Sequence, residues 1–421
     1  MSAFVQSPQL LMLCVQHAMP LPLCKATRRA SCCLEADAYD SILDEIDDDD
    51  DDWADNMLTE AEEQWAVELE ECIIRGQLSR AGMEQDMLGP GAPLPLCENA
   101  AAAKAALSEA GAGVARLGGT LSPATAAALR AYVLAELSDA TREPVASCLR
   151  LSHVIAPTAA SGSTTATRWD LRLPMSPIVR TALQEVLSEG GALGEALEEA
   201  AGGGQAELWE LGALISCSGA AAQVVHADVV WRPTPSLHTA FIALQPICRA
   251  LGPTRFLPYT HANKHAHAAH VAQGDATALT VANCYDERFG APPMEPCDQL
   301  MPSVVALLDT GDAALYDARC FHCGGANTFE ANQPRQLGPE GDASGDGCVD
   351  ASLDGMRILF YLTTRHAARM AEPVVPDPGR SLLPHLDGAF TLGALRAGRF
   401  EIDEMRLMRR RMEQQQASSR Q

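Results

Sequence analysis

The chain has 421 residues, 47% of them hydrophobic, enough for a sizeable core in one large domain or two ordinary ones. Its net charge is -24, yet residues 34–71 hold 18 acidic side chains and no Lys or Arg, which leaves -6 (-24 + 18) for the rest. The acidity therefore belongs to one segment, nothing in the charge favours nucleic-acid binding, and the remainder need not repel an anionic ligand. Fourteen cysteines without a compact framework read as reduced thiols, and no apolar run is long enough to span a bilayer.

Residues 1–33 contain no acidic side chain and carry Lys25, Arg28 and Arg29, the pattern of an organellar transit peptide or of a disordered N-terminus. The expected location is the cytoplasm, or a plastid or mitochondrion if this is a transit peptide, and not outside the cell. Residues 34–97 read as an acidic disordered segment, one helix and a linker. The six aspartates from Asp47 to Asp52 repel one another and stay solvated. Thr59 and Glu62 form a capping box ahead of Trp65, Leu69 and Ile73, whose four-residue steps predict the helix. Residues 76–97 are rich in Gly, Pro and Met and read as the linker.

A domain is expected over residues 98–400. Ala-rich sequence to Ala110 favours helix, and Ser122-Pro123 caps a second helix running through Leu137. The alternation in Arg168–Leu173 reads as a strand. Ser176-Pro177 starts a helix with Ile178, Ala182, Leu183, Val186 and Leu187 on one face. From Leu208 the period changes to two. Short apolar runs follow at Leu211–Cys217, Gln223–Val230, Leu237–Leu244, Thr254–Leu257, Val304–Leu308, Ala313–Tyr316, Phe321–Cys323 and Arg357–Thr364. Gly, Pro and Asp separate them, so the fold class is mainly β with flanking helices, an α+β arrangement around a sandwich or jelly roll. Residues 337–355 hold five glycines and read as an inserted loop. Residues 401–421 read as a basic helix and tail with Arg406, Arg409, Arg410 and Arg411.

The chemistry centres on His226-Ala227-Asp228. The β-branched stretch Gln223–Trp231 predicts a strand, in which His226 and Asp228 would share a face. One imidazole and one carboxylate are two of the three ligands of a facial 2-His-1-carboxylate iron site. Taken alone the triplet reads as a polar strand face, and it becomes specific only through what surrounds and follows it. The third ligand must be a histidine supplied by the fold, and the candidate is His322 in the stretch Gly311–Asn327. Rival readings are thinner. Cys320 and Cys323 could be half of a zinc site, but no second Cys-x-x-Cys exists. His261, His265, His267 and His270 read as an exposed loop beyond Pro258. Trp231 could wall a pocket or sit in the core. No Gly-x-Ser-x-Gly elbow occurs, and Gly202-Gly203-Gly204 follows a helix instead of opening one.

Several strings occur in a telling order. Ala110–Val114 runs into Leu121-Ser122, then come Gln223…His226-Ala227-Asp228, Gly252–His261, Gly311-Asp312…His322…Gly325-Ala326-Asn327, and a strand opening with Arg357. Together they resemble the phytanoyl-CoA dioxygenase-like family of Fe(II)/2-oxoglutarate-dependent oxygenases, over roughly residues 98–400. Tyr259 stands where that family usually has Gly, and the insert before Arg357 is long. The resemblance implies a double-stranded β-helix, a jelly-roll, cupin-like core. It implies Fe(II) and 2-oxoglutarate as cofactors, with ascorbate as a candidate reductant. His226, Asp228 and His322 would be the metal ligands and catalytic residues, and Gln223 would help to bind the cofactor. The implied reaction hydroxylates an aliphatic carbon of a small organic, acyl or lipid-like substrate with O2, releasing succinate and CO2. Family members that halogenate lack the carboxylate, so Asp228 resembles the hydroxylating majority.

Two arginines compete to hold the far carboxylate of 2-oxoglutarate. Arg335 lies 13 residues after His322 (335 − 322) in a polar, Pro-containing stretch. Arg357 lies 35 residues on (357 − 322) but opens the strand Ile358–Leu362. A bidentate anchor must be held rigidly toward the interior, which a strand does better than a turn, so Arg357 is the choice. The alternative function is a non-catalytic jelly-roll binding module; an intact ligand set favours the enzyme.

Overall fold

The computed structural model describes residues 88–142, 150–153, 168–264, 266–268, 303–329, 355–370 and 380–402. The transit-peptide and acidic segments, the helix at Thr59–Ile73, His265, His270, Arg335, nearly all of the 337–355 insert and the basic C-terminal helix fall outside them.

Twelve described strands form two mixed sheets. Numbered in chain order, they are β1 Ala92–Pro93, β2 Leu96–Cys97, β3 Val114–Leu117, β4 Leu151–His153, β5 Arg168–Arg172 and β6 Glu207–Ser216. After them come β7 Leu237–Ala243, β8 Thr254–Phe256, β9 Val304–Val305, β10 Ala313–Asp317, β11 His322–Gly324 and β12 Arg357–Arg365. The large sheet runs β2-β3-β10-β7-β12-β6-β5-β4 and the small one β1-β9-β8-β11. Only β1 with β9 and β2 with β3 pair in parallel; every other pairing is antiparallel.

Every residue of β12 is buried, as expected for a strand flanked by β6 and β7. Its even residues Ile358, Phe360 and Leu362 join the core beneath the helices. Its odd residues Leu359 and Tyr361 face the small sheet and pack with Phe241, Phe256 and Tyr316. Period two in the strand thus divides the protein into an outer apolar layer and an inner one.

The helices are α1 Ala100–Leu107, α2 Pro123–Arg142, α3 Pro177–Val186, α4 Ala192–Ala200 and α5 Leu392–Arg396. Their starts follow local chemistry: Asn99 accepts from the Ala102 amide at 2.9 Å, Ser122 from Thr125 at 3.2 Å and Thr391 from Ala394 at 3.2 Å. In α3, Pro177 follows Ser176, and the stripe Val179, Ala182, Leu183 and Val186 is buried.

Several expectations change. The second helix runs five residues past Leu137, to Arg142. The stretch read as linker is part of the body from Leu88, which is 1% exposed, through Leu94 at 2% and the edge strands β1 and β2. Gln223–Val230 is not a strand: it makes one isolated bridge, His226 to His322. The reason is a slipping register. Gln223 donates to Gly324, His226 exchanges both bonds with His322, and Asp228 donates to Ala318. The paired numbers sum to 547, 548 and 546, so no two steps share one antiparallel register. The histidine-rich loop is not exposed where it is described. His261 is 0% and His267 5% exposed, the latter stacked on Phe321 at 4.5 Å. Burial pushes His267 down to about 4, so it packs as a neutral ring. Finally, Cys248 is disulfide-bonded, against the expectation of reduced thiols, whereas Cys97, Cys217, Cys320 and Cys323 keep their thiols.

Gly311 shows how tightly the turn before β10 is built. It has φ 85°, its carbonyl accepts from Leu121, and an added Cβ would overlap the Leu121 carbonyl oxygen. Gly311→Ala should therefore lose roughly 3 kcal/mol of stability from a strained φ and a backbone clash. A urea unfolding midpoint within error of the parent would show that this turn can relax.

Candidate active site

His322 opens β11, and the bridge to His226 brings the two imidazoles together at 4.5 Å between ring centroids. Asp228 completes the group. Its Oδ1 lies 3.8 Å from His226 Nε2 and 3.7 Å from His322 Nε2. The three ligand atoms lie within 4.8 Å of one another, a spacing able to hold one metal ion, and this is the only such group among the described residues.

The rings are oriented through their other nitrogens. His226 Nδ1 lies 2.9 Å from the Val224 carbonyl and His322 Nδ1 3.0 Å from the Cys320 carbonyl. Each Nδ1–H donates to its carbonyl, which leaves both Nε2 lone pairs facing the carboxylate. The Tyr316 hydroxyl, on β10, donates to Asp228 Oδ2 at 3.0 Å and fixes the carboxylate from the opposite side. Behind β11, Arg319 donates to Asp317 at 2.6 Å in a buried ion pair, which shapes the turn delivering His322.

Of the remaining predicted residues, Gln223 meets Gly324, two places beyond His322, and Arg357 meets Gly252. Gln223 Oε1 accepts from the Gly324 amide at 2.8 Å. Arg357, 3% exposed, donates to the Gly252 carbonyl. Its Nε is buried with no partner among the described residues. Beside it lies Arg168 of β5, also 3% exposed, which the sequence reading passed over. Arg168 donates to the carbonyls of Ala221, at 2.8 Å, and Gly325. A Cβ on Gly324 would strike both Gln223 Oε1 and Arg168 Nη1, so a larger residue here would displace those two side chains. Burial pushes Arg168 down to about 10. Burial also lowers Arg357 well below its usual range, and Arg168 adds to that fall. Guanidinium groups stay charged in proteins, so these shifts express desolvated positive charge that an anion would offset. Among the described residues no carboxylate pairs with either.

Among the described residues, Cys320 and Cys323 belong to no group able to hold a metal ion. The Cys320 thiol donates to the Leu257 carbonyl at 3.4 Å, and burial pushes it up to about 12. Asn327 ties the chain after β11 to Ser216 and Gly355 through its side-chain amide, at 2.9 and 2.8 Å. Trp231 is half-buried with Lys264 over its ring.

Two imidazoles and one carboxylate poised for one ion mark the class of non-haem iron enzymes. The chain belongs to the phytanoyl-CoA dioxygenase (PhyH) family, which it matches over residues 111–336, more than half its length. It is accordingly a non-haem, Fe(II)/2-oxoglutarate-dependent enzyme. No curated protein matches it. Among solved structures it is similar to AviO1 from Streptomyces viridochromogenes, at 18% identity and TM-score 0.41, covering 66% of this chain and 100% of that one. It is similar also to the non-heme alpha ketoglutarate dependent carbocyclase SnoK from nogalamycin biosynthesis, at 15% identity and TM-score 0.41, covering 65% and 87%. The epimerase SnoN, in complex with Fe3+, alpha ketoglutarate and nogalamycin RO, follows at 15% and 0.32, covering 63% and 83%. The family assignment rests on the family match alone. No described helix is long and apolar enough to cross a membrane.

Proposed function

We propose that the two facing sheets are a double-stranded β-helix and that His226, Asp228 and His322 hold Fe(II) at its mouth. In this reading Arg357 binds the far carboxylate of 2-oxoglutarate, Arg168 stands beside it as a second cation, and Gln223 braces the corner at Gly324. The enzyme hydroxylates an aliphatic carbon of a small organic or lipid-like substrate, with release of succinate and CO2. The observation that carries the reading is a ready metal-ligand set together with two buried guanidinium groups that no described carboxylate pairs: Arg168, which donates to Gly325, three residues beyond His322, and Arg357 near it. A dianionic keto acid bridges those two features, because one end binds metal and the other needs a guanidinium.

The metal, when bound, supplies the activation of oxygen. The chain's own residues supply geometry. The carbonyls of Val224 and Cys320 hold both imidazoles in the ligating tautomer, and Tyr316 limits the swing of the Asp228 carboxylate. The Phe256 and Tyr316 rings pack against His322 at 5.8 and 4.9 Å and keep water from that side. The test is direct. Anaerobically purified protein should bind one Fe(II) per chain and, given 2-oxoglutarate and oxygen, release succinate. Iron-loaded protein that leaves 2-oxoglutarate intact with every substrate offered would refute the reading.

A further inference from the structure

The inner face of the large sheet carries a row of polar groups that leads to the metal site. In register, Glu210 of β6 faces Thr363 of β12, Thr363 faces Thr239 of β7, and Thr239 faces Tyr316 of β10. These four strands are neighbours, so the row crosses the sheet and ends at the hydroxyl that donates to Asp228. Its members are joined: Thr363 donates to Glu210 Oε2 at 2.7 Å, and Thr239 and Thr363 share a 3.0 Å bond. Next along the face, Tyr361 donates to Asp170 at 2.8 Å, and Ser381 donates to the same carboxylate.

Glu210 is the member with spare capacity. Its Oε1 has only a long contact, 3.5 Å, from the Ser381 amide. The threonines and Tyr316 beside it are buried, but Glu210 keeps part of its surface accessible. Leu214 and Asp170, on the same inner face, are likewise only half-buried, so this part of the face is not fully covered. Burial pushes the Glu210 carboxyl up to about 7, with Thr363 pulling it back and Asp170 and Asp228 adding to the rise. An alkyl chain lying here would strip water from a carboxyl and return no hydrogen bond, which is costly. A hydroxyl or ammonium group would supply the missing donor.

We propose that Glu210 is a specificity-determining residue: its Oε1 accepts a hydrogen bond from a hydroxyl or ammonium group of the substrate. The molecule oxidised is then a polar, donor-bearing compound and not an aliphatic acyl chain. This rests on the iron and 2-oxoglutarate reading above and narrows it.

The test uses the full chain loaded anaerobically with Fe(II) and 2-oxoglutarate. Two compound sets are titrated: polyols, amino alcohols and diamines in one, medium- and long-chain fatty acids and alcohols in the other. Binding is followed by calorimetry and by perturbation of the visible charge-transfer band of the Fe(II)–2-oxoglutarate complex. Ligands are expected only in the polar set, and Glu210→Leu should weaken them roughly tenfold or more. Glu210→Gln, which keeps the shape and an acceptor oxygen, separates the two donors: hydroxyl ligands survive it and ammonium ligands do not. Ligands confined to the acyl set, an empty polar set, or a leucine variant that binds the polar ligands as tightly as the parent would overturn the proposal. Failure of the band to form in the parent protein is a separate result: it overturns the metal reading and this proposal with it.

Discussion

Asp228→Ala should abolish succinate release and leave the protein folded. The carboxylate is a ligand candidate with 33% of its side chain exposed, so its loss leaves no large cavity. It also removes the only anionic ligand, and two neutral imidazoles bind a hard divalent ion poorly. Removing even a supporting partner of a metal ligand commonly costs about 10–100-fold in affinity or activity. Removing the ligand itself should cost more, and Tyr316→Phe, which takes away only the 3.0 Å bond to Asp228, should fall within that smaller range. His322→Ala should match Asp228→Ala. Iron content and succinate yield, measured side by side, decide the matter. Succinate release surviving in either ligand variant means that the ion sits elsewhere.

Arg357→Ala should raise the 2-oxoglutarate requirement by tens- to thousands-fold, since losing one arm of a buried charge pair costs roughly 2–5 kcal/mol of binding. The same change should leave the ligand-free protein nearly as stable as the parent, and this follows from the structure. Arg357 is desolvated, donates to one carbonyl and has an unpartnered Nε beside a second cation, so its charge is a cost until an anion arrives. Arg168→Ala should weaken 2-oxoglutarate in the same direction. Arg335→Ala should change it little. Titration calorimetry across the three variants, with denaturant melts of the ligand-free proteins, would expose a misassigned anchor: Arg335 would then carry the larger loss.

Parts of this were legible in the residues alone. The β12 run Ile358–Leu362 announces a buried strand because a central strand needs nothing but apolar and β-branched side chains. Ser176-Pro177 announces α3 because a helix start is decided within one turn. The candidate ligands were legible as residue types and order, and the structure brings His226, Asp228 and His322 together. What stayed hidden depends on neighbours distant in the chain. Strands β1 and β2 are two residues each and exist only through pairing with β9 and β3. The slip in register at Gln223–Asp228 comes from three separate partners on one facing segment, which no local pattern encodes. Arg168 looked like one residue of an alternating strand, and only its approach to Gly324 and Arg357 gives it a role. Glu210 is equally mute in sequence, because its meaning lies in the register of β6 on β12. Tyr259 keeps the left-handed backbone, φ 68°, at the position where the family usually places Gly. It is the only non-glycine residue at positive φ among the described residues, so the turn geometry survives the change of residue.

The single bridge between His226 and His322 bears on more than the placing of ligands. The two residues are 96 positions apart (322 − 226), and between them two backbone bonds close that loop, at 2.9 and 2.8 Å. A bound ion would act as a cross-link across the same gap, restricting the unfolded chain much as a disulfide spanning a comparable distance does. Loading and local folding of residues 223–228 are then one equilibrium. Amide exchange in that segment should slow on adding metal, while the interior of β12, already held on both edges, gains little by comparison.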